Sequence, residues 1–156
     1  MSKQLIIKPD KCVGCRTCEL VCSFGHTEKT NPSLSAVNVV NYEEAVVSVP
    51  VMCLQCDDAT CVKVCPVSAI SLKEGVVTIN EDKCIVCKMC QYACPLGNIS
   101  YSPITSKVFK CDLCDGEPEC AKFCPWGAIQ YIDPQDDLDR KRAVADSFKE
   151  VFGEGA

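Results

Sequence analysis

Cysteine is the residue that this sequence offers in a pattern with chemical meaning. Sixteen of the 156 residues are cysteine, far above ordinary usage, and they fall into four groups of four. The first group, Cys12, Cys15, Cys18 and Cys22, is spaced C-x2-C-x2-C-x3-C; the third, Cys84, Cys87, Cys90 and Cys94, repeats that spacing and adds Pro95. The second (Cys53, Cys56, Cys61, Cys65, then Pro66) and the fourth (Cys111, Cys114, Cys120, Cys124, then Pro125) widen only the middle gap. Three thiolates two residues apart can curl around three irons of one cube, with backbone N–H groups facing its sulfides. The fourth thiolate, three residues further on, faces a neighbouring cube. Four 4Fe-4S clusters that use every cysteine are therefore expected, on motifs that work in pairs. A helix that starts at the fourth cysteine, with proline in its first turn, is expected to aim that thiolate.

Two other uses of cysteine compete with this one. Zinc takes four thiolates as two C-x2-C pairs separated by a longer loop, whereas here three or four cysteines crowd into each run. Disulfides need an oxidising compartment, and the N-terminus MSKQLIIKPDKC has neither the apolar stretch nor the small-residue cleavage site of a secretory signal. A cytoplasmic protein is expected. No apolar run approaches the length of a membrane span. The formal charge of −5 becomes roughly −13 once sixteen thiolates and the cluster cores are counted, which argues against a nucleic-acid partner. No residue stands out as an acid, base or nucleophile, so electron transfer without bond chemistry is expected rather than catalysis.

The elements around the motifs repeat. After the second motif, PVSAISLKEGVVTINEDKC reads as an extended segment, a turn at Glu74-Gly75 and a second extended segment leading into the third motif. That is a whole bacterial-ferredoxin module, residues 50–101, with one cluster on Cys53, Cys56, Cys61 and Cys94 and another on Cys84, Cys87, Cys90 and Cys65. LIIKPDKC before the first motif mirrors VVTINEDKC before the third, and CPWGAIQYI after the fourth mirrors CPVSAISL after the second. An outer module, residues 1–49 plus 102–132, would then be circularly permuted around the inner one. Its clusters would lie on Cys12, Cys15, Cys18 with Cys124, and on Cys111, Cys114, Cys120 with Cys22. The fold class expected is α+β, two ferredoxin-like modules of short strands and short helices, one nested in the other. Sequential pairing, first motif with second and third with fourth, stays open; the two-strand pattern between Cys65 and Cys84 is the reason to prefer nesting.

Several other residues have a chemical and an ordinary reading. Ile70, Ile99 and Ile129 stand five residues after the last cysteine of three motifs, a position interrupted by Thr27 in the first. With Val13, Ile85, Val62 and Met89 they would exclude water from the clusters, or simply form core, and both readings predict burial. Trp126, Tyr92 and Tyr42 could relay electrons, though packing is the commoner role, and His26, the lone histidine, is expected at the surface rather than on iron. Residues 36–50, AVNVVNYEEAVVSVP, alternate like a strand or hairpin. Residues 133–156 suggest an amphipathic helix or tail, with Leu138, Ala145, Phe148 and Phe152 near helical spacing.

The order of four motifs, the CDLC of the fourth and the CP-x-x-AI endings resemble the iron-sulfur subunits of the dimethyl sulfoxide reductase type and their small relatives in hydrogenase, formate dehydrogenase and carbon monoxide dehydrogenase complexes. The match spans about residues 3–132 and includes all sixteen cysteines. The resemblance implies pairing of first motif with fourth and second with third, in a cluster wire serving a large catalytic subunit with a tungsten or molybdenum cofactor, or a hydrogenase or formate dehydrogenase. A flavin subunit or ferredoxin would exchange electrons at the other end. The chain lacks the long insertions of larger members, which implies a minimal one, and the loop FGHTEKTNPSLS is similar to small subunits of tungsten aldehyde oxidoreductases. A free polyferredoxin carrier is the alternative, and copies stacked end to end would make a longer wire.

Overall fold

The computed structural model describes residues 3–135. Eight short strands pair into four separate antiparallel ribbons, and four short helices lie between them, a mixed α+β architecture. Strand β1 (Gln4–Ile7) pairs with β8 (Ile129–Ile132), so that Ile7 lies opposite Ile129 and the two ends of the described chain are joined. β2 (Asn38–Tyr42) and β3 (Val47–Val51) form the hairpin expected from the alternation of residues 36–50. β4 (Ile70–Lys73) and β5 (Val76–Ile79) flank Glu74 and Gly75, both of positive φ, as a two-residue turn matched to strand twist requires.

A third hairpin, β6 (Ser100–Ser102) with β7 (Lys107–Phe109), lies between the third and fourth motifs. This corrects the linker argument: the stretch from Cys65 to Cys84 is not the sole connection with two paired strands. The turn of β6 and β7 is held by the Ser102 hydroxyl, which accepts from the N–H groups of Ile104 and Thr105 at 3.2 and 3.3 Å. Such local side-chain bonds replace the alternation by which a strand pair is normally read.

The helices also differ from expectation. Helix α1 spans Thr17–Thr27, α2 Thr60–Lys63, α3 Met89–Ala93 and α4 Glu119–Lys122. In every motif the third cysteine, Cys18, Cys61, Cys90 or Cys120, is the second residue of its helix. In the last three motifs the helix ends at or just before the fourth cysteine, and Cys-Pro opens a turn instead of a helix. The proline explains this, because the residue before proline is driven out of the helical region. Ser23 stands where the first motif lacks proline, and α1 there runs on to Thr27.

Two apolar cores result. One gathers Cys18, Cys22 and Cys120 with Val37, Val39, Met52 and Ile129, from the first and fourth motifs and the β2–β3 hairpin. The other gathers Ala59, Ile70, Val77, Cys90, Ile99 and Val108, from the second and third motifs and the β6–β7 hairpin. Val108 in this second core and β3 running across residue 50 place both expected module boundaries inside ribbons. No helix among the described residues is long and apolar enough to cross a membrane, and most of the tail at 133–156 lies outside the described residues. Because Ile129 is buried in the first core where β1 and β8 meet, Ile129→Ala should cost about 2–5 kcal/mol. An anaerobic guanidinium titration reads this as a lower midpoint, and an unmoved midpoint would show that the β1–β8 closure contributes little.

Candidate metal centres

The loops that carry the cysteines are bent by left-handed residues. The position before the second cysteine has positive φ in all four motifs: Gly14, Gln55, Val86 and Leu113. Arg16, Lys88 and Asp115, just after the second cysteine, are left-handed as well in the first, third and fourth. Left-handed residues inside an extended loop turn successive N–H groups toward one side and make an anion-binding concavity. Leu, Gln and especially β-branched Val rarely adopt this conformation, and such strain concentrates where the surrounding structure over-determines a site. The sequence shows only Gly14 as a hint of this geometry.

The structure brings the cysteines together in sets of three plus one. One cavity, about 310 Å³ of atom-free space open to solvent at its mouth, is lined by Cys12, Cys15 and Cys18 together with Cys124. A second, about 330 Å³, is lined by Cys84, Cys87 and Cys90 with Cys65. A third, about 540 Å³, is lined by Cys53, Cys56 and Cys61 with Cys94. The remaining four are Cys111, Cys114, Cys120 and Cys22: the thiolates of Cys111, Cys22 and Cys114 oppose ionisation of Cys120, as does that of Cys18, so the first and fourth motifs adjoin here.

Every fourth cysteine receives a backbone N–H on sulfur. Ala69 donates to Cys65 at 3.2 Å, Asn98 to Cys94 at 3.4 Å and Ala128 to Cys124 at 3.2 Å. In each case the donor is four residues on, past a left-handed residue, Ser68, Gly97 or Gly127. Cys22 sits inside α1, where the following N–H groups are committed to the helix, and Ala36 donates to it instead at 3.4 Å. The C-P-x-[GS]-[AN] spacing carries this signal in three motifs; for the first, no local pattern could have identified Ala36.

The acidity of the thiols follows the same division. Burial pushes the helix-borne third cysteines up, Cys18 to about 12, with Cys61, Cys90 and Cys120 also raised. Burial raises Cys111 to about 11. Burial opposes ionisation of Cys22 and Cys65 too, but there the N–H donors win, helped at Cys22 by His26, and both are lowered. Mutually crowded, desolvated thiols of this kind cannot ionise together unless a cation sits among them. Iron-sulfur clusters, which take four thiolates and accept N–H donors on sulfur, therefore fit all four sets.

The neighbouring side chains are only partly as expected. Ile70, Ile99 and Ile129 are buried. Val13, Ile85 and Met89 are not, with 58%, 60% and 50% of their surface exposed: the curl that turns the thiolates inward turns Val13 and Ile85 outward, where they still line the cavity mouths, and Met89 opens α3. Trp126 lines the first cavity but is largely exposed, and Tyr42 and Tyr92 are exposed too. His26 is at the surface, yet not free: its Nδ1 lies 2.9 Å from the Cys22 carbonyl and its Nε2 3.1 Å from Asp112, whose carboxylate raises its pKa.

Two families, both described as 4Fe-4S dicluster domain, match residues 45–134 and 11–70. The chain belongs to the 4Fe-4S dicluster domain family. Among similar proteins, the polyferredoxin-like subunit of aliphatic sulfonate oxidoreductase from Pyrococcus furiosus is 42% identical, over 77% of this chain and 70% of its own length. Putative electron transport protein YsaA of Escherichia coli is 36% identical over 85% of this chain and 91% of its own, and electron transport protein HydN of the same organism 34% over 85% and 89%. With relatives named as electron transport proteins and as an oxidoreductase subunit, the chain stands among iron-sulfur electron-transfer components.

Gly14 combines a left-handed φ of +69 with a tight approach, since a Cβ there would fall 2.6 Å from Ser48 Oγ. Gly97 has φ +64 but open space around it. Gly97→Ala should therefore lower the stability of the iron-loaded chain by about 1 kcal/mol, and Gly14→Ala by about 2 kcal/mol or more. Anaerobic unfolding midpoints check the order, and equal losses would mean that the β2–β3 hairpin does not confine the first loop.

Proposed function

We propose that the chain holds four 4Fe-4S clusters on its sixteen cysteines, in two ferredoxin-like modules of which one is nested inside a circularly permuted second. Its task is to relay single electrons between a catalytic oxidoreductase subunit and a flavin subunit or ferredoxin, within the cytoplasm. The observation that most directly supports this reading is the three-plus-one lining of the cavities. Cys124 joins the first motif's set and Cys65 the third motif's, so the lone thiolate comes from the motif that the nested pairing names. The β1–β8 pairing and the two apolar cores favour the same pairing over the sequential one.

Each cluster, when bound, supplies one electron at a time by cycling between its 2+ and 1+ states. The chain's own residues do the rest. The cysteines fix the spacing of the centres, the N–H groups on the fourth cysteines stabilise sulfur charge, and Ile70, Ile99 and Ile129 keep water from their inner faces. The P. furiosus relative, described as a subunit of an oxidoreductase, favours the subunit over the free polyferredoxin carrier. A tungsten aldehyde oxidoreductase is the first candidate partner, on the loop FGHTEKTNPSLS alone; molybdenum enzymes, hydrogenase and formate dehydrogenase follow.

Anaerobic purification from the native host under mild conditions, with iron counted in the same sample, tests the role. A tightly bound tungsten or molybdenum subunit is the expected companion; a lone brown protein with about sixteen irons would favour the diffusing carrier. Cys65→Ala tests the ligation. It should remove or convert the centre of the third motif while the other three keep their electron paramagnetic resonance signals, and loss confined to the centre of the second motif would refute the crossed arrangement.

A further inference from the structure

Lys110 is a lysine in an unusual place. It is 7% exposed, and no carboxylate lies within ion-pair distance of it among the described residues. Its ammonium has three protons to donate and three acceptors around it: the Val77 carbonyl, the Cys111 carbonyl at 2.6 Å and Gln55 Oε1 at 3.4 Å. Gln55 is fixed in turn. Its Oε1 accepts from the Val77 N–H at 2.9 Å and its Nε2 donates to the Cys111 carbonyl at 2.8 Å. Gln55 stands between Cys53 and Cys56, in the left-handed position of the second motif, and Lys110 directly precedes the first cysteine of the fourth. The pair therefore fastens the second-motif loop and strand β5 to the fourth motif, between the Cys53, Cys56, Cys61, Cys94 set and the Cys111, Cys114, Cys120, Cys22 set.

A buried ammonium without a counter-ion is costly unless anions lie nearby. The ligand reading places thiolates on both sides of it: Lys110 Nζ donates to the carbonyl of Cys111, a ligand of one flanking set, and to Gln55, in the loop between Cys53 and Cys56 of the other. We propose that Lys110, held in place by Gln55, is a positioning residue that raises the reduction potentials of the two centres on either side of the junction between the modules. The inference rests on the ligand reading above. Adding an electron to a thiolate-bound cluster adds negative charge, and a fixed cation in a poorly screened site favours the reduced form. Both centres next to Lys110 then become easier to reduce than the two remote from it, which biases an electron toward the crossing from one module to the other.

The test is a potentiometric titration of the full iron-loaded chain, followed by electron paramagnetic resonance, with iron counted for every variant. Lys110→Met should move two of the four reduction steps to lower potential by at least tenfold in equilibrium constant, about 59 mV for one electron, and leave the other two in place. Gln55→Glu, which keeps the shape and adds a compensating negative charge, should move the same two steps the same way. Lys110→Arg, which keeps the charge, should largely preserve them. Full iron with four unmoved steps, or with all four shifted alike, would overturn the inference and leave the ligand reading standing. Loss of iron from both Lys110→Met and Gln55→Glu would make the pair a structural staple only and overturn it too. A wild-type chain holding fewer than four clusters would overturn the ligand reading, and this inference with it.

Discussion

Everything in this fold answers to the electrostatics of sixteen sulfur atoms in a small chain. A two-stranded ribbon is marginal alone, and here there are four that do not merge into a larger sheet. The two apolar cores are small and are themselves partly built from cysteine. Thiols that are desolvated, crowded and carried on short helices resist ionisation, yet they are worth burying only as ligands. On the proposed reading, metal is therefore the element that turns a set of weak ribbons into a structure, and the chain's regular elements serve mainly to deliver sulfur to four points.

The backbone answers the same constraint with geometry. Left-handed residues before the second cysteine curl the loop in all four motifs, and a left-handed residue after Cys-Pro turns an N–H onto the fourth sulfur in three of them. Both devices place partial positive charge where thiolate and sulfide charge must lie. The first motif reaches the same end by another route. Without proline, α1 continues past Cys22, its N–H groups become helical bonds, and a distant loop residue, Ala36, supplies the missing donor. The long α1 has a further consequence, since it carries Glu19, buried, whose carboxylate accepts from the Val39 N–H at 2.6 Å and so fastens the β2–β3 hairpin to the outer motifs.

The parts legible in the sequence were those fixed by the spacing of one residue type. Four runs of cysteine, the Glu74-Gly75 turn and the mirrored segments around the motifs are local patterns, and the described residues carry each as a local structure. What was not legible depends on direction rather than spacing. That helices begin at the third cysteine follows from proline ending them at the fourth, a rule that the sequence displays but that was read in the opposite sense. The β6–β7 hairpin has only three residues in each strand, too few for a firm pattern, and its turn is closed by the Ser102 hydroxyl. Val13 and Ile85 are apolar in type but lie on the outer side of a curled loop, which composition cannot show. Gln55 and Lys110 meet across 55 positions, and no local signal connects them.

The four sets are not equivalent, and the position after each first cysteine shows how. It is Val13, Leu54 and Ile85 in three motifs, each exposed at its cavity, and Asp112 in the fourth. Asp112 accepts from the Cys114 N–H at 2.9 Å and faces His26, so at this position the fourth set carries a paired carboxylate and imidazole where the others carry hydrocarbon. Apolar surroundings penalise added charge at a cluster, whereas donors and cations favour it. On the proposed reading, His26 beside the fourth set is paired with Asp112, whereas Lys110 has no carboxylate partner among the described residues, so its charge is left to act on the two sets it adjoins. On this reading, what distinguishes one set from another is a few side chains beside the cysteines rather than the cysteines themselves.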